Sequence, residues 1–197
     1  MNRQHIPCIT DKQPNPGHAT NSSPRRSGAS SVRHDDQVGI SVDELVSYVD
    51  RTVDQMADIV GGLGDDLANR RPALPGANSP YAILRHCLGV MEFWGGQVVA
   101  GRAVERDRDA EFRAAGPVAA LIEAAQQAKE TFRMDAAGAG PSAPPRGPRP
   151  GMSPDELELL SQGSALLHVL EEVTQHLGQL ELTRDVLRAA ASAGSAG

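Results

Sequence analysis

The sequence predicts an all-α protein built on a four-helix bundle. Apolar residues recur three and four positions apart in four separate stretches, the period of a helix buried along one face. Capping signals stand where two of those stretches begin, and segments rich in Gly, Pro or charge separate them. No stretch alternates as a strand would. The chain has 197 residues, enough for one domain and a tail. It is 40% hydrophobic but only 3% aromatic, so Leu, Val, Ile and Ala must build the core.

Residues 1–38 are rich in Pro, Ser, Asn and charge and show no period. Such a segment cannot bury enough apolar surface to offset its ordering entropy, so it reads as a disordered tail. A start codon assigned too far upstream is the open alternative. The bundle is assigned to residues 39–192 and a frayed end to 193–197.

The first helix starts at Ser41, where Ser41 and Glu44 form a capping box. Leu45, Val49, Val53, Met56 and Val60 make its inner face, and Gly61, Gly62 and Gly64 are expected to end it. A polar loop then covers 65–78. Ser79-Pro80 opens the second helix as cap and first-turn proline. Its apolar face holds Ile83, Cys87, Val90, Met91, Trp94 and Val98, and it stops near Gly101. The charged stretch 101–113 suits a crossover along the bundle rather than a tight hairpin. A third helix is expected over 117–135, with Val118, Leu121, Ile122, Ala125, Ala128 and Phe132 inward. The Pro/Gly-rich stretch 136–154 is a loop. The fourth helix begins at 153–155, is open to a break near Gly163, and continues to about residue 190. Leu166, Val169, Leu170, Val173, Leu177, Leu180 and Leu187 lie at its core spacing.

Net charge is −6. The tail carries five basic and three acidic residues, and the rest carries fourteen basic and twenty-two acidic. An acidic folded part excludes nucleic acid as the main partner, because phosphate neutralisation needs a basic face. No apolar run approaches the roughly 20 residues that span a bilayer, so no membrane is expected. The N-terminus lacks the apolar core of a secretory signal, and the protein is expected to be cytoplasmic. Cys8 and Cys87 are not expected to pair.

Of six histidines, three lie in the tail and the others are His86, His168 and His176. On a wheel of about 100° per residue with Glu172 at 0°, His176 falls near about 40°, His168 near about −40° and Gln179 near about −20°. The apolar stripe lies between about 60° and 140°. Glu172 and His176 therefore flank it, with His168 a step nearer solvent. His86 flanks the stripe of the second helix in the same way. Two ligands four apart on one helix and a third from a facing helix are a known way to hold a metal in a bundle. Two His and one carboxylate suit zinc and other first-row divalent ions and leave a coordination position open. The ordinary alternative for a Glu-His pair at this spacing is a solvated or partly buried ion pair. The segment EEVTQH lacks the His-Glu-x-x-His pattern of zinc proteases.

The segments NSPYAILRHCLGVMEFWGGQVVAGR and HVLEEVTQHLGQLELTRDVL resemble the second and last helices of the DinB-like superfamily, in its branch of mycothiol-dependent transferases and maleylpyruvate isomerases. The likeness covers roughly 41–190. It implies a bundle in up-down-down-up order, with 102–116 as the crossover between parallel helices. It implies that His86, Glu172 and His176 bind a divalent metal, zinc most of all. It further implies that a metal-bound thiolate of mycothiol, a low-molecular-weight thiol, attacks a small electrophilic substrate. Many members carry His where this chain has Gln179, a position read as shaping the surroundings of the triad. Alternatives left open are a hydrolase using metal-bound water and a non-enzymatic metal-binding helical module. A homodimer is also left open.

The remaining residues have plainer readings. His168 is a solvated helix residue or an outer contact of the site. Cys87 is a buried small side chain. Trp94 is core, with a pocket wall as alternative. Arg102, Arg106 and Arg108 are read as a solvated charged face, with contact to an anionic substrate or the thiol as the weaker idea.

Overall fold

The computed structural model describes residues 39–149 and 160–194, all within one unit, Gly39–Gly197. The tail 1–38, the expected start of the fourth helix at 153–155 and residues 195–197 lie outside the described residues. The described residues form helices and no strand.

Helix α1 is Val42–Ala68. The Ser41 hydroxyl accepts from the Glu44 amide at 3.1 Å, and the Glu44 carboxylate accepts from the Ser41 amide at 2.9 Å, so the capping box forms. The expected stop at the glycines is met at Gly64, the one residue that leaves helical geometry, at φ 66° and ψ 174°. A second helical segment follows the kink as far as Ala68, and Leu63 and Ala68 on either side are buried in the same core. Such a positive φ favours glycine, which has no Cβ to clash.

Helix α2 is Pro80–Met91, capped by Ser79, whose hydroxyl accepts from the Ala82 amide at 3.2 Å. It passes directly into a π-helix, Glu92–Val99. Its wider turn shows in the bond from the Ala100 amide to the Gly95 carbonyl, five residues back. The crossover contains a short helix, α3, Arg108–Glu111, capped by Asp107. Helix α4 is Val118–Ala137. Helix α5, Gln162–Gly194, includes Gly163 without a break and runs into the stretch expected to fray.

The long helices share one core. Val49, Val53, Met56 and Val60 of α1 meet Ile83, Leu84 and Val90 of α2, Leu121, Ala125 and Phe132 of α4, and Leu166, Val169, Val173 and Leu180 of α5. Helix α1 packs on α4 and α5, α2 packs on α5, and the π-helix packs on α4 and α5. Each fully buried aliphatic side chain contributes roughly 1.5–3 kcal/mol, against at most about 1 kcal/mol for an exposed ion pair. The apolar stripes therefore set the helix positions, and the polar groups occupy a frame they did not build. No helix among the described residues is long and apolar enough to cross a membrane.

The π-helix fits because Gly95 leaves room for a ring. A Cβ on Gly95 would lie 2.6 Å from Phe132 Cδ2, and Phe132 is fully buried. Gly95→Ala should therefore destabilise the fold by about 1–3 kcal/mol through overpacking, despite alanine's better helix propensity. Urea denaturation of the two proteins checks this; equal or higher stability for the variant would mean that the ring is not confined there.

Candidate metal centre

His86 projects from α2, and Glu172 and His176 project from successive turns of α5. The α2–α5 packing brings them together: one ligand atom from each residue lies within 4.8 Å of the other two. His86 Nε2 is 3.7 Å from Glu172 Oε2, and His176 Nε2 is 3.6 Å from the same oxygen. The two rings meet nearly edge-on, at 82° and 4.9 Å between centroids.

Both rings are held from behind. His86 Nδ1 donates to Glu111 Oε2 at 2.8 Å, and His176 Nδ1 donates to Gln179 Oε1 at 2.8 Å. With Nδ1 engaged, each Nε2 is turned toward Glu172. A tetrahedral first-row cation with ligand bonds of about 2.0–2.1 Å has ligand atoms about 3.4 Å apart. The observed separations of 3.6 and 3.7 Å are too long for hydrogen bonds and close to that edge. The residues present fit a divalent cation. The His86 side chain is 3% exposed, Glu172 27% and His176 21%, so the cluster opens on its α5 side.

The charges reinforce one another. The nearby imidazoles of His176 and His86 hold the Glu172 carboxyl well below the usual carboxylate range. Burial alone would lower the His86 pKa, but the carboxylates of Glu111 and Glu172 outweigh it and raise the value. Burial alone would raise Glu111, but His86 and Arg106 hold its carboxyl at about 2. Two carboxylates and one guanidinium, Arg106, thus face His86, a net negative field that favours a cation.

The crossover reading needs correction. Glu111 is buried, and Arg106 grips it with Nε to Oε1 at 2.7 Å and Nη2 to Oε2 at 3.0 Å. Arg102 forks onto the buried carboxylate of Asp135 at 2.8 and 2.7 Å, joining the crossover to α4. Each arginine clamps a buried carboxylate that would otherwise lack a partner; Arg106 is largely covered, whereas Arg102 stays exposed on the charged face. Arg108 stays exposed, over the Phe112 ring at 5.1 Å. Phe112 stacks on His86 at 4.4 Å and 27°. The sequence reading missed Glu111 and Phe112. One signal was available: Gly89, one turn after His86 on the same face, leaves space beside the imidazole.

His168 lies outside the three-ligand cluster. Its Nε2 is 3.8 Å from Glu172 Oε1, and its ring tilts against Trp94 at 4.4 Å. It is an outer contact of the site rather than a fully solvated residue. Cys87 is completely buried, and burial pushes its thiol pKa up, so it behaves as core. Trp94 is also buried, with the Arg149 guanidinium 4.0 Å from its ring centroid.

Fold and cluster together define a class: a helical protein with two histidines and one carboxylate arranged to accept a divalent cation. Residues 44–189 match the mycothiol-S-transferase family. The chain belongs to that family, which is DinB-like. No curated protein matches the chain significantly.

A cation held by His86 would have to displace a proton from it. A raised pKa means that protons compete from above the ordinary value of about 6.5 downward. Zinc affinity should therefore rise as pH increases through that raised value and fall steadily below it. Titration with zinc from pH 5.5 to 8.5 checks this; an affinity independent of pH would contradict the role of His86.

Proposed function

We propose that the chain is a metal-dependent mycothiol S-transferase acting on a small electrophilic molecule. His86, Glu172 and His176 are the metal ligands in this reading, and zinc is the metal. The observation that carries it is the approach of two imidazole Nε2 atoms to one carboxylate oxygen. Family membership supports the low-molecular-weight thiol as partner. The four long helices then run up-down-down-up, with 102–116 as crossover and 39–192 as the bundle domain. A cytoplasmic location suits a reduced thiol, and a homodimer stays open.

When bound, a divalent cation supplies the positive charge that favours the thiolate of a coordinating thiol near neutral pH. The chain's own residues do the rest. Glu172 contributes the one formal negative charge among the three ligands, and His86 anchors the site on the buried side. Three protein ligands leave one side for the thiol, and the exposed edge of α5 is where it enters. The thiol's proton would pass to water, and the sulfur's electron pair would form the bond to the electrophilic carbon of the second substrate. The pair of the bond broken at that carbon leaves with the departing group or, on addition to a double bond, takes up a proton. His168 and Trp94 wall the outer flank, beside Glu172.

Glu172→Ala and His176→Ala should each lower zinc affinity by more than the roughly 10–100-fold that loss of an outer partner costs. Both should lose thiol-dependent turnover while keeping helical circular dichroism. Metal analysis of the purified variants beside a mycothiol transfer assay checks this. Full metal content in both would overturn the ligand assignment. Turnover that proceeds without any thiol would mean a hydrolase using water instead.

A further inference from the structure

We propose that Glu111 is a positioning residue for the cation site. It keeps the proton of His86 on Nδ1 and so reserves Nε2 for the cation, with Arg106 as the clamp that holds the carboxylate in place. This rests on the reading above that His86 is a metal ligand.

Two groups approach His86 Nδ1. Glu111 Oε2 stands at 2.8 Å and Arg106 Nη2 at 3.4 Å. An ionised carboxylate oxygen has no proton to give, so contact at 2.8 Å requires the proton on the ring nitrogen. The guanidinium also only donates, and its Nε and Nη2 are already directed at Glu111. The ring is therefore protonated at Nδ1, which makes Nε2, facing Glu172, the nitrogen that can give up its proton and take a cation. A metal-ligating histidine needs this tautomer, and a carboxylate behind it makes the ring a stronger donor. His176 has only the neutral amide of Gln179 behind it and lies nearer solvent. His86 is thus the more rigidly held ligand of the pair.

Several independent features build the holder. Asp107 Oδ1 accepts from the Ala110 amide at 2.9 Å, starting the short helix that ends at Glu111. Phe112 covers the face of the imidazole. Gly89 supplies the space: a Cβ there would lie 2.0 Å from Glu111 Oε1. Glu111 itself is only 5% exposed, and a buried carboxylate persists where it is fully paired.

The test uses the full chain, loaded with zinc. A long-range proton–nitrogen correlation spectrum of wild-type histidine rings should show His86 with its proton on Nδ1 and its Nε2 shifted by the metal. Chelator competition should show zinc affinity lowered roughly 10–100-fold in Glu111→Gln. Gly89→Ala should give a loss in the same direction, although it removes no polar group and favours the helix. Thermal melting of the metal-free variants should remain cooperative. The proposal is overturned if His86 carries its proton on Nε2 in the wild type, a result that needs no variant to fold. It is equally overturned if both folded variants bind zinc as tightly as the wild type. His176→Ala separates the two levels. If it too binds zinc normally, the metal reading itself fails. If it loses zinc while the Glu111 and Gly89 variants do not, only the positioning role fails.

Discussion

One carboxylate oxygen, Glu172 Oε2, sits between two imidazole nitrogens from different helices, and the geometry of the site follows from it. The three groups come from stretches some ninety residues apart in sequence. Nothing polar drives that meeting. Val169, Val173 and Leu180 bury against the rest of the core and fix the rotation of α5, so that Glu172 and His176 lie at the edge of the buried face. Ile83, Leu84 and Val90 do the same for α2 and carry His86 inward. The apolar stripes act first, and the ligands take the positions that those stripes leave at the seam.

Holding charge at that seam is costly unless every charge is answered. Two carboxylates and a guanidinium surround His86, and each has a partner among the others. The arrangement is one step short of balanced: two histidines share the single free carboxylate of Glu172, and a divalent ion would complete it. The same logic recurs where Arg102 meets Asp135 and where Lys129 meets Asp54. Those pairs tie the crossover and α1 to α4, whereas the His86 cluster opens toward solvent on the α5 side. In the proposed reading, that opening is where a small molecule would reach the cluster.

Much of this was legible from spacing. Caps at Ser41 and Ser79-Pro80 fix where two helices begin, because their hydroxyls answer amides that no carbonyl can reach. The four-residue step from Glu172 to His176 places both side chains on one edge whatever the rest of the chain does. Burial of His86 was less visible, since its wheel position put it at the edge of the stripe, and the crossover residues Glu111 and Phe112 cover it only across space. The crossover was misread for a physical reason. Glu105 and Glu111 look alike in a charged run, and only the gap beside Gly89, across space, decides that Glu111 goes inside. The glycines of α1 marked the break at Gly64, and what they did not show is the second helical turn beyond it, held by the buried Ala68. The adjacent Gly95 and Gly96 were a quiet sign of the π-helix, whose widened turn admits Phe132.

X-ray absorption at the zinc edge of the loaded protein, before and after adding mycothiol, addresses the central claim most directly. The account predicts two imidazoles and one carboxylate around the metal, with a sulfur neighbour appearing once the thiol is present. A zinc environment without two imidazoles, or one into which no sulfur enters, would contradict it.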